Sequence, residues 1–258
     1  MNYYNENDSF AAQWLEELIK DGLIATGKVD TRSIEDVEPN DLQDFKQCHF
    51  FAGIGGWAYA ARLSGWGDDR PMWTGSPPCQ PFSVAGDKKG FSDERHLWPV
   101  WFNLIRELRP SIIFGEQVSS AINEGWLDQL QADLESSDYA CGAVIVPASG
   151  VGALHRRQRL WFVVNSVSKG LEGHWQPEWL SEKKRWQIEA GYSAKTGVSQ
   201  SWGSGVSVDC SDGKFRTIPT EPALYPLADG IPNRMGVLRG AGNAIVPQVA
   251  AEIINLFI

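Results

Sequence analysis

Between Phe10 and Ile19 apolar residues repeat at helical spacing, which predicts a first amphipathic helix followed by an acidic connector. The run Cys48-His49-Phe50-Phe51-Ala52 then reads as a buried strand, Gly53-Ile54-Gly55-Gly56 as a tight turn, and Trp57–Leu63 as the helix after it. A strand, glycine turn and helix in this order lets a cofactor approach backbone amides at a helix N-terminus. A second buried strand is predicted at Pro71–Gly75, ended abruptly by Ser76, Pro77 and Pro78. Further on, a helix at Leu97–Leu108 precedes a strand at Ser111–Gly115, a helix at Ile122–Leu134 leads to a strand at Cys141–Val146, and Arg159–Val164 makes one more. Alternating strands and helices imply an α/β fold, a mostly parallel sheet with helices on both faces. Such sheets bind ligands beyond the carboxyl ends of their strands, which is where Gly53, Cys79 and Glu116 fall.

Residues 166–219 change character, being rich in Gly, Ser, Trp and Lys without clear periodicity, and are expected to form a small irregular insertion. The sheet-and-helix pattern resumes at Gly242-Asn243-Ala244-Ile245-Val246-Pro247, which opens an apolar helix to Ile258. The chain is therefore divided into an N-terminal extension (1–47, a helix plus an acidic connector), a main domain (48–165 and 220–258) and the insertion between its parts (166–219).

Charge modifies this picture. The formal net charge of -9 argues at first against a nucleic-acid partner, but eleven acids and four bases in residues 1–47 account for -7 of it. The remainder is near neutral, with bases clustered at His155-Arg156-Arg157-Gln158-Arg159 and Lys183-Lys184-Arg185, the second cluster among Trp175, Trp179, Trp186 and Trp202. Such runs permit DNA without requiring it. The four cysteines are widely spaced with no Cys-x-x-Cys pair, so no metal site or disulfide framework is expected. No apolar run approaches the roughly 18 residues that span a bilayer, and a cytoplasmic location without a membrane partner is expected.

Cys79 stands between a proline and a glutamine at the end of a strand-like run, in Gly75-Ser76-Pro77-Pro78-Cys79-Gln80-Pro81-Phe82-Ser83. A lone free cysteine is commonly a small core residue. On a loop that leaves a strand it reads instead as a presented nucleophile. Taken with Phe51–Gly56, Glu116-Gln117-Val118, Arg157-Gln158-Arg159 and Gly242–Pro247, in this order, the chain resembles the DNA cytosine-5 methyltransferases. The resemblance implies a Rossmann-like methyltransferase sheet, shortened here, with residues 166–219 as a small target-recognition region.

It also implies the chemistry. Carbon 5 of cytosine is a poor nucleophile, so a thiolate, here that of Cys79, adds first at carbon 6. Glu116 would hydrogen-bond or protonate ring nitrogen 3 and the exocyclic amine as charge builds on the ring. Arg157 and Arg159 would hold the carbonyl oxygen of the base and the flanking phosphate, with Arg157 nearer the base. The target must leave the duplex to reach Cys79. S-adenosylmethionine is the implied cofactor, contacted by Phe51, Ala52, Gly53, Ile54, Gly55, Gly56, Pro78, Asn243 and Ala244. Double-stranded DNA is the implied partner of a monomer, contacted by Gln80, Ser83, Lys183, Lys184 and Arg185.

Three features depart from the family pattern. The run from Trp57 to Gly75 is too short for the strand, helix and strand expected there, and offers only Asp68 and Asp69 where two acids should meet the adenosine part of the cofactor. Val29-Asp30-Thr31-Arg32-Ser33-Ile34-Glu35-Asp36-Val37 resembles the family's Gly-Asp-Ile segment, normally found after the first motif, so Asp30 or Asp36 is expected to supply an acid to the adenosine part of the cofactor. Gln117 replaces an asparagine, and the recognition region is small. Two rival readings stay open at this point: a cytosine-modifying enzyme of the same fold using another one-carbon donor, and a DNA-binding homologue without catalysis.

Overall fold

Residues 1–78, 97–153, 155–166 and 240–258, with the backbone of 205–209 and 215–219, are described by a computed structural model. Strands β1 (Asn2–Asn5), β2 (Gly27–Asp30), β3 (Gln47–Phe50), β4 (Met72–Gly75), β5 (Ile112–Val118), β6 (Tyr139–Pro147) and β7 (Gln158–Ser166) form one sheet in the order β2-β1-β3-β4-β5-β7-β6. The first five run parallel, while β7 is reversed against both β5 and β6. This is the Rossmann-like sheet with helices on both faces that the sequence predicts. A separate antiparallel pair, β8 (Gly205–Asp209) and β9 (Phe215–Pro219), lies in the segment expected to be irregular.

Successive residues of a strand point to opposite faces, and the core divides accordingly. One face carries Tyr4, Met72 and Phe114, covered by α1 (Ser9–Lys20), α2 (Gly56–Leu63) and α5 (Pro247–Asn255) through Leu15, Ala58, Trp57 and Ile254. The other carries Tyr3, Phe50, Trp73 and Ile113, covered by α3 (Trp98–Leu108) and α4 (Trp126–Glu135) through Trp101, Ile105, Trp126 and Leu130. No helix among the described residues is long and apolar enough to cross a membrane.

The N-terminal segment is not confined to a helix and connector, because it adds β1 and β2 to the sheet. β1 is Asn-Tyr-Tyr-Asn, buried at all four positions, and its polar atoms are satisfied internally. The Tyr4 hydroxyl donates to the Ala25 carbonyl at 2.6 Å, the Tyr3 hydroxyl to Asp30 at 3.0 Å, and the Asn5 amide to the Arg32 carbonyl at 2.9 Å. Buried polar groups are tolerated when so paired. The short stretch between the glycine turn and Cys79 thus coexists with a seven-stranded sheet, since a strand, helix and strand arrive from upstream.

This arrangement has a topological cost. The β1-α1-β2 unit moves one way along the sheet and β3-α2-β4 moves the other, yet α1 and α2 lie on the same face. The two crossovers therefore have opposite hands. The β4-α3-β5 unit moves in the same direction as β3-α2-β4 but carries its helix on the other face, so it shares the hand of β1-α1-β2. Crossovers are right-handed in about 98% of cases, which makes β3-α2-β4 the left-handed exception.

Two sites in the sheet centre are tight enough to test. Gly75 and Gly115 face each other across β4 and β5, and a Cβ at Gly115 would come within 1.9 Å of the Phe162 ring. Gly115→Ala is expected to cost about 1–3 kcal/mol, lowering the thermal midpoint by several degrees; an unchanged midpoint would mean the ring has room to retreat.

His49, wholly buried, stacks on Tyr4 with centroids 5.1 Å apart and meets Thr74 Oγ1 through Nδ1 at 2.8 Å, one row across β1, β3 and β4. Burial pushes its pKa down to about 3, from an ordinary value of 6.5. The unfolded chain therefore binds the proton first, and stability falls as the pH drops from about 6.5 toward 3, by up to about 1.4 kcal/mol per pH unit. His49→Gln should flatten this part of an acid-denaturation curve; an unaltered slope would assign the effect elsewhere.

Candidate functional site

The glycine turn begins where β3 stops. Phe51 takes a φ of 51°, Gly53 of 54° and Gly55 of 82°, a left-handed sequence that delivers the chain into α2 with its first amides facing the sheet rim. β1 pins the turn in place. The Ala52 amide donates to the Asn5 carbonyl at 3.0 Å, and the Gly53 amide to Glu6 Oε2 at 2.7 Å. A Cβ placed on Gly53 would meet nothing within 4 Å, so the space above it is open. On the far side, Ile245 of the closing segment packs against Gly56.

Two acids flank this turn. Glu6 follows the last residue of β1 and was not foreseen from the sequence, because its host strand was not. Recognising Asn-Tyr-Tyr-Asn as a strand was the signal that would have found it. Asp30 closes β2, with its carboxylate held by Arg32 Nη2 at 2.7 Å and by the Tyr3 hydroxyl at 3.0 Å. The Arg32 guanidinium, more than any other neighbour, pulls its pKa down to about 2. Asp36, the other candidate, is exposed in a short turn after β2, and its carbonyl accepts from Arg32. Asp68 is engaged by Arg62 at 2.7 Å.

The second half of the rim is built on β5 and β7. β5 continues past Gly115 to Val118 because β7 pairs with it along its whole length, which places Glu116 opposite Trp161 and inside the ladder. Glu116 is 8% exposed and forms an ion pair with Arg159 Nε at 2.8 Å. Burial raises its pKa, against the pull of Arg159, of Arg157 and of a hydrogen bond from Ser76. Ser76, on the segment leading to Cys79, accepts in turn from Trp57 Nε1 at 3.1 Å.

Arg157 is held differently from the expectation that it lies nearer the base. Its Nη2 donates to the carbonyls of Gly242 at 2.9 Å and Ala244 at 2.7 Å, fastening the closing segment to the start of β7, and its own φ is 27°. Of the two arginines, Arg159 is the one on Glu116. Asn243 is exposed between those two carbonyls, and Ala244 is half-buried. Phe51 meets Trp101 edge to face at 6.2 Å, and Pro78 is half-buried at the limit of the described segment. Cys79, Gln80, Ser83, Lys183, Lys184 and Arg185 lie outside the described residues.

The rim therefore gathers Glu6, Asp30 and the glycine turn on one side, and Ser76, Glu116, Arg159 and Arg157 on the other. A carboxyl group kept protonated by burial can donate a hydrogen bond as well as accept one. Carbon-13 NMR titration of the Glu116 carboxyl should give a pKa above the ordinary glutamate value, and a higher one still in Arg159→Leu, which removes the opposing cation. A wild-type value at or below about 4.3 would contradict the dominance of burial.

The family model of the C-5 cytosine-specific DNA methylases matches residues 65–201, more than half of the chain. The Type II methyltransferase M.AplI of Arthrospira platensis is 35% identical over 91 residues, covering 34% of this chain and 26% of that protein. The Type II methyltransferase M.HhaI of Haemophilus parahaemolyticus is 30% identical over 92 residues, covering 33% and 28%. The matched parts thus span about a quarter of those relatives' length. Among solved structures, a DNMT2 mutant of Spodoptera frugiperda aligns with a TM-score of 0.43 and 16% identity, over 64% of this chain and 42% of that one. The chain belongs to the C-5 cytosine-specific DNA methylase family.

Proposed function

We propose that this chain methylates carbon 5 of cytosine in DNA, with S-adenosylmethionine as donor and Cys79 as nucleophile. The observation that carries the proposal is the buried Glu116–Arg159 pair on the rim beside the segment that leads to Cys79. Cys79 adds to carbon 6 of a flipped cytosine, forming a carbon–sulfur bond and making carbon 5 nucleophilic. Glu116, whose pKa burial raises against the pull of Arg159, hydrogen-bonds or delivers a proton to ring nitrogen 3 and accepts from the exocyclic amine as the ring takes up electron density. Arg159 holds that carboxyl group in place and presents its remaining N–H groups to the carbonyl oxygen of the base. After methyl transfer, loss of the carbon 5 proton to solvent water restores the ring double bond and expels the Cys79 thiolate.

The residues around the glycine turn fit the donor. S-adenosylmethionine, when bound, supplies a methyl group on a positively charged sulfur. Gly53 leaves open space above the turn, and α2 directs its N-terminal amides there. Glu6 and Asp30, at the ends of adjacent strands, are carboxylates suited to ribose hydroxyls and an adenine amine. Their position supports adenosine binding and weakens the rival reading of another one-carbon donor, which rested on the absence of such acids after the turn.

Incubation with duplex DNA containing 5-fluorocytosine should trap a covalent adduct that is lost in Cys79→Ser; no adduct across varied sequences would favour a DNA-binding role without catalysis. In calorimetric titration with S-adenosylmethionine, Glu6→Ala and Asp30→Ala should each weaken binding by about 10- to 100-fold, with Asp36→Ala near wild type. Undetectable binding by the wild type, with or without DNA, would instead favour another donor.

A further inference from the structure

The hydrogen-bond ladder between β4 and β5 ends at Gly75 opposite Gly115. It does not continue beyond that pair. Pro77 and Pro78 follow almost at once, and proline has no backbone N–H to offer a neighbouring strand. The segment that leads to Cys79 is therefore tied to β5 through side chains, by the Ser76 hydrogen bond to Glu116 and by a second tie at Pro77.

Gln117 supplies it. The side chain is 3% exposed, and its Nε2 donates to the Pro77 carbonyl at 3.0 Å. Its Oε1 accepts from the Val118 amide at 2.8 Å, so the amide is fixed at both ends and cannot flip without setting donor against donor. The backbone beneath it is held as well, since Gln117 lies in the β5–β7 ladder opposite Leu160. Glu116, the preceding residue, points to the opposite face of the strand and meets Arg159. One dipeptide of β5 thus carries the acid and grips the chain two residues before the nucleophile.

We propose that Gln117 is a positioning residue that sets where the Cys79 segment departs from the sheet relative to Glu116. This rests on the reading of Cys79 as nucleophile and Glu116 as its acid. The amide found at this position elsewhere in the family resemblance is asparagine, one methylene shorter; the longer glutamine reaches a proline carbonyl across the gap that the ladder leaves. Misplacing a nucleophile by a fraction of an ångström affects the rate of attack far more than the affinity for either ligand.

The test compares wild type with Gln117→Leu, Gln117→Glu and Gln117→Asn in the rate of adduct formation on 5-fluorocytosine duplex, alongside affinities for S-adenosylmethionine and for DNA. Leu and Glu, which remove the donor, should slow adduct formation about 10- to 100-fold while both affinities stay within about twofold, and Asn should lie between them and wild type. Gln117→Glu carries a further signature. Lowering the pH protonates the glutamate and restores a donor toward Pro77, so its rate relative to wild type at the same pH should recover, whereas that of Gln117→Leu should not. The proposal is overturned if adduct forms at the wild-type rate in Leu and Glu, or if rate and both affinities fall together in all three variants. Failure of the wild type itself to form adduct would strike at the nucleophile reading and not at the grip on Pro77.

Discussion

The parallel pairing of β3 with β1 on one side and β4 on the other is the constraint on which the rest of the molecule depends. Parallel strands must be covered on both faces and bring their carboxyl ends to one rim. β3 therefore decides where the glycine turn sits, which strand ends lie beside it, and which helices must cover it. The row Tyr4, His49 and Thr74 runs through this junction with its polar atoms turned inward, at distances that leave one His49 nitrogen, Nε2, without a partner. Sequence-distant pieces of the site are consequently fixed by one ladder, and a change in its register would separate Glu6 from Gly53 at once.

Within the rim, two carboxylic acids receive opposite treatment. Asp30 is surrounded by donors and a guanidinium, and is kept ionised; Glu116 is desolvated, and is pushed toward its protonated form despite its arginine. The difference follows from what each strand end is buried against. One side of the rim thus carries an acid held in its acceptor form and the other an acid whose proton affinity is raised.

Much of this was legible in the sequence, and what was not has identifiable causes. Apolar runs such as Met72–Trp73 and Ile112–Phe114 announce buried strands because burial on both faces demands them. β1 was missed because Tyr3, Tyr4 and their flanking asparagines enter the core through hydrogen bonds that no pattern of hydrophobicity records, and β2 because Val29 is its one aliphatic residue. The helix expected from Ile122 to Leu134 is broken by Gly125, whose φ of 75° ends a short tight turn before α4 begins. Motif order pointed to Glu116, Arg157 and Arg159 as a group. Which arginine reaches Glu116 depends on the backbone turn at Arg157 and on carbonyls more than eighty residues away, neither of which local sequence can specify.

The left-handed crossover at α2 has a meaning for the history of the chain. If residues 1–46 were moved to the join between α2 and β4, every strand would keep its neighbours, the crossover through α2 would acquire the usual hand, and that through α1 would keep it. Chain order and spatial order have come apart, as they do when a gene is permuted internally. The connection between β2 and β3 is then a seam: a break there would divide the protein into two pieces with complementary sheet edges, β1 on one and β3 on the other, suited to reassembly from separate polypeptides.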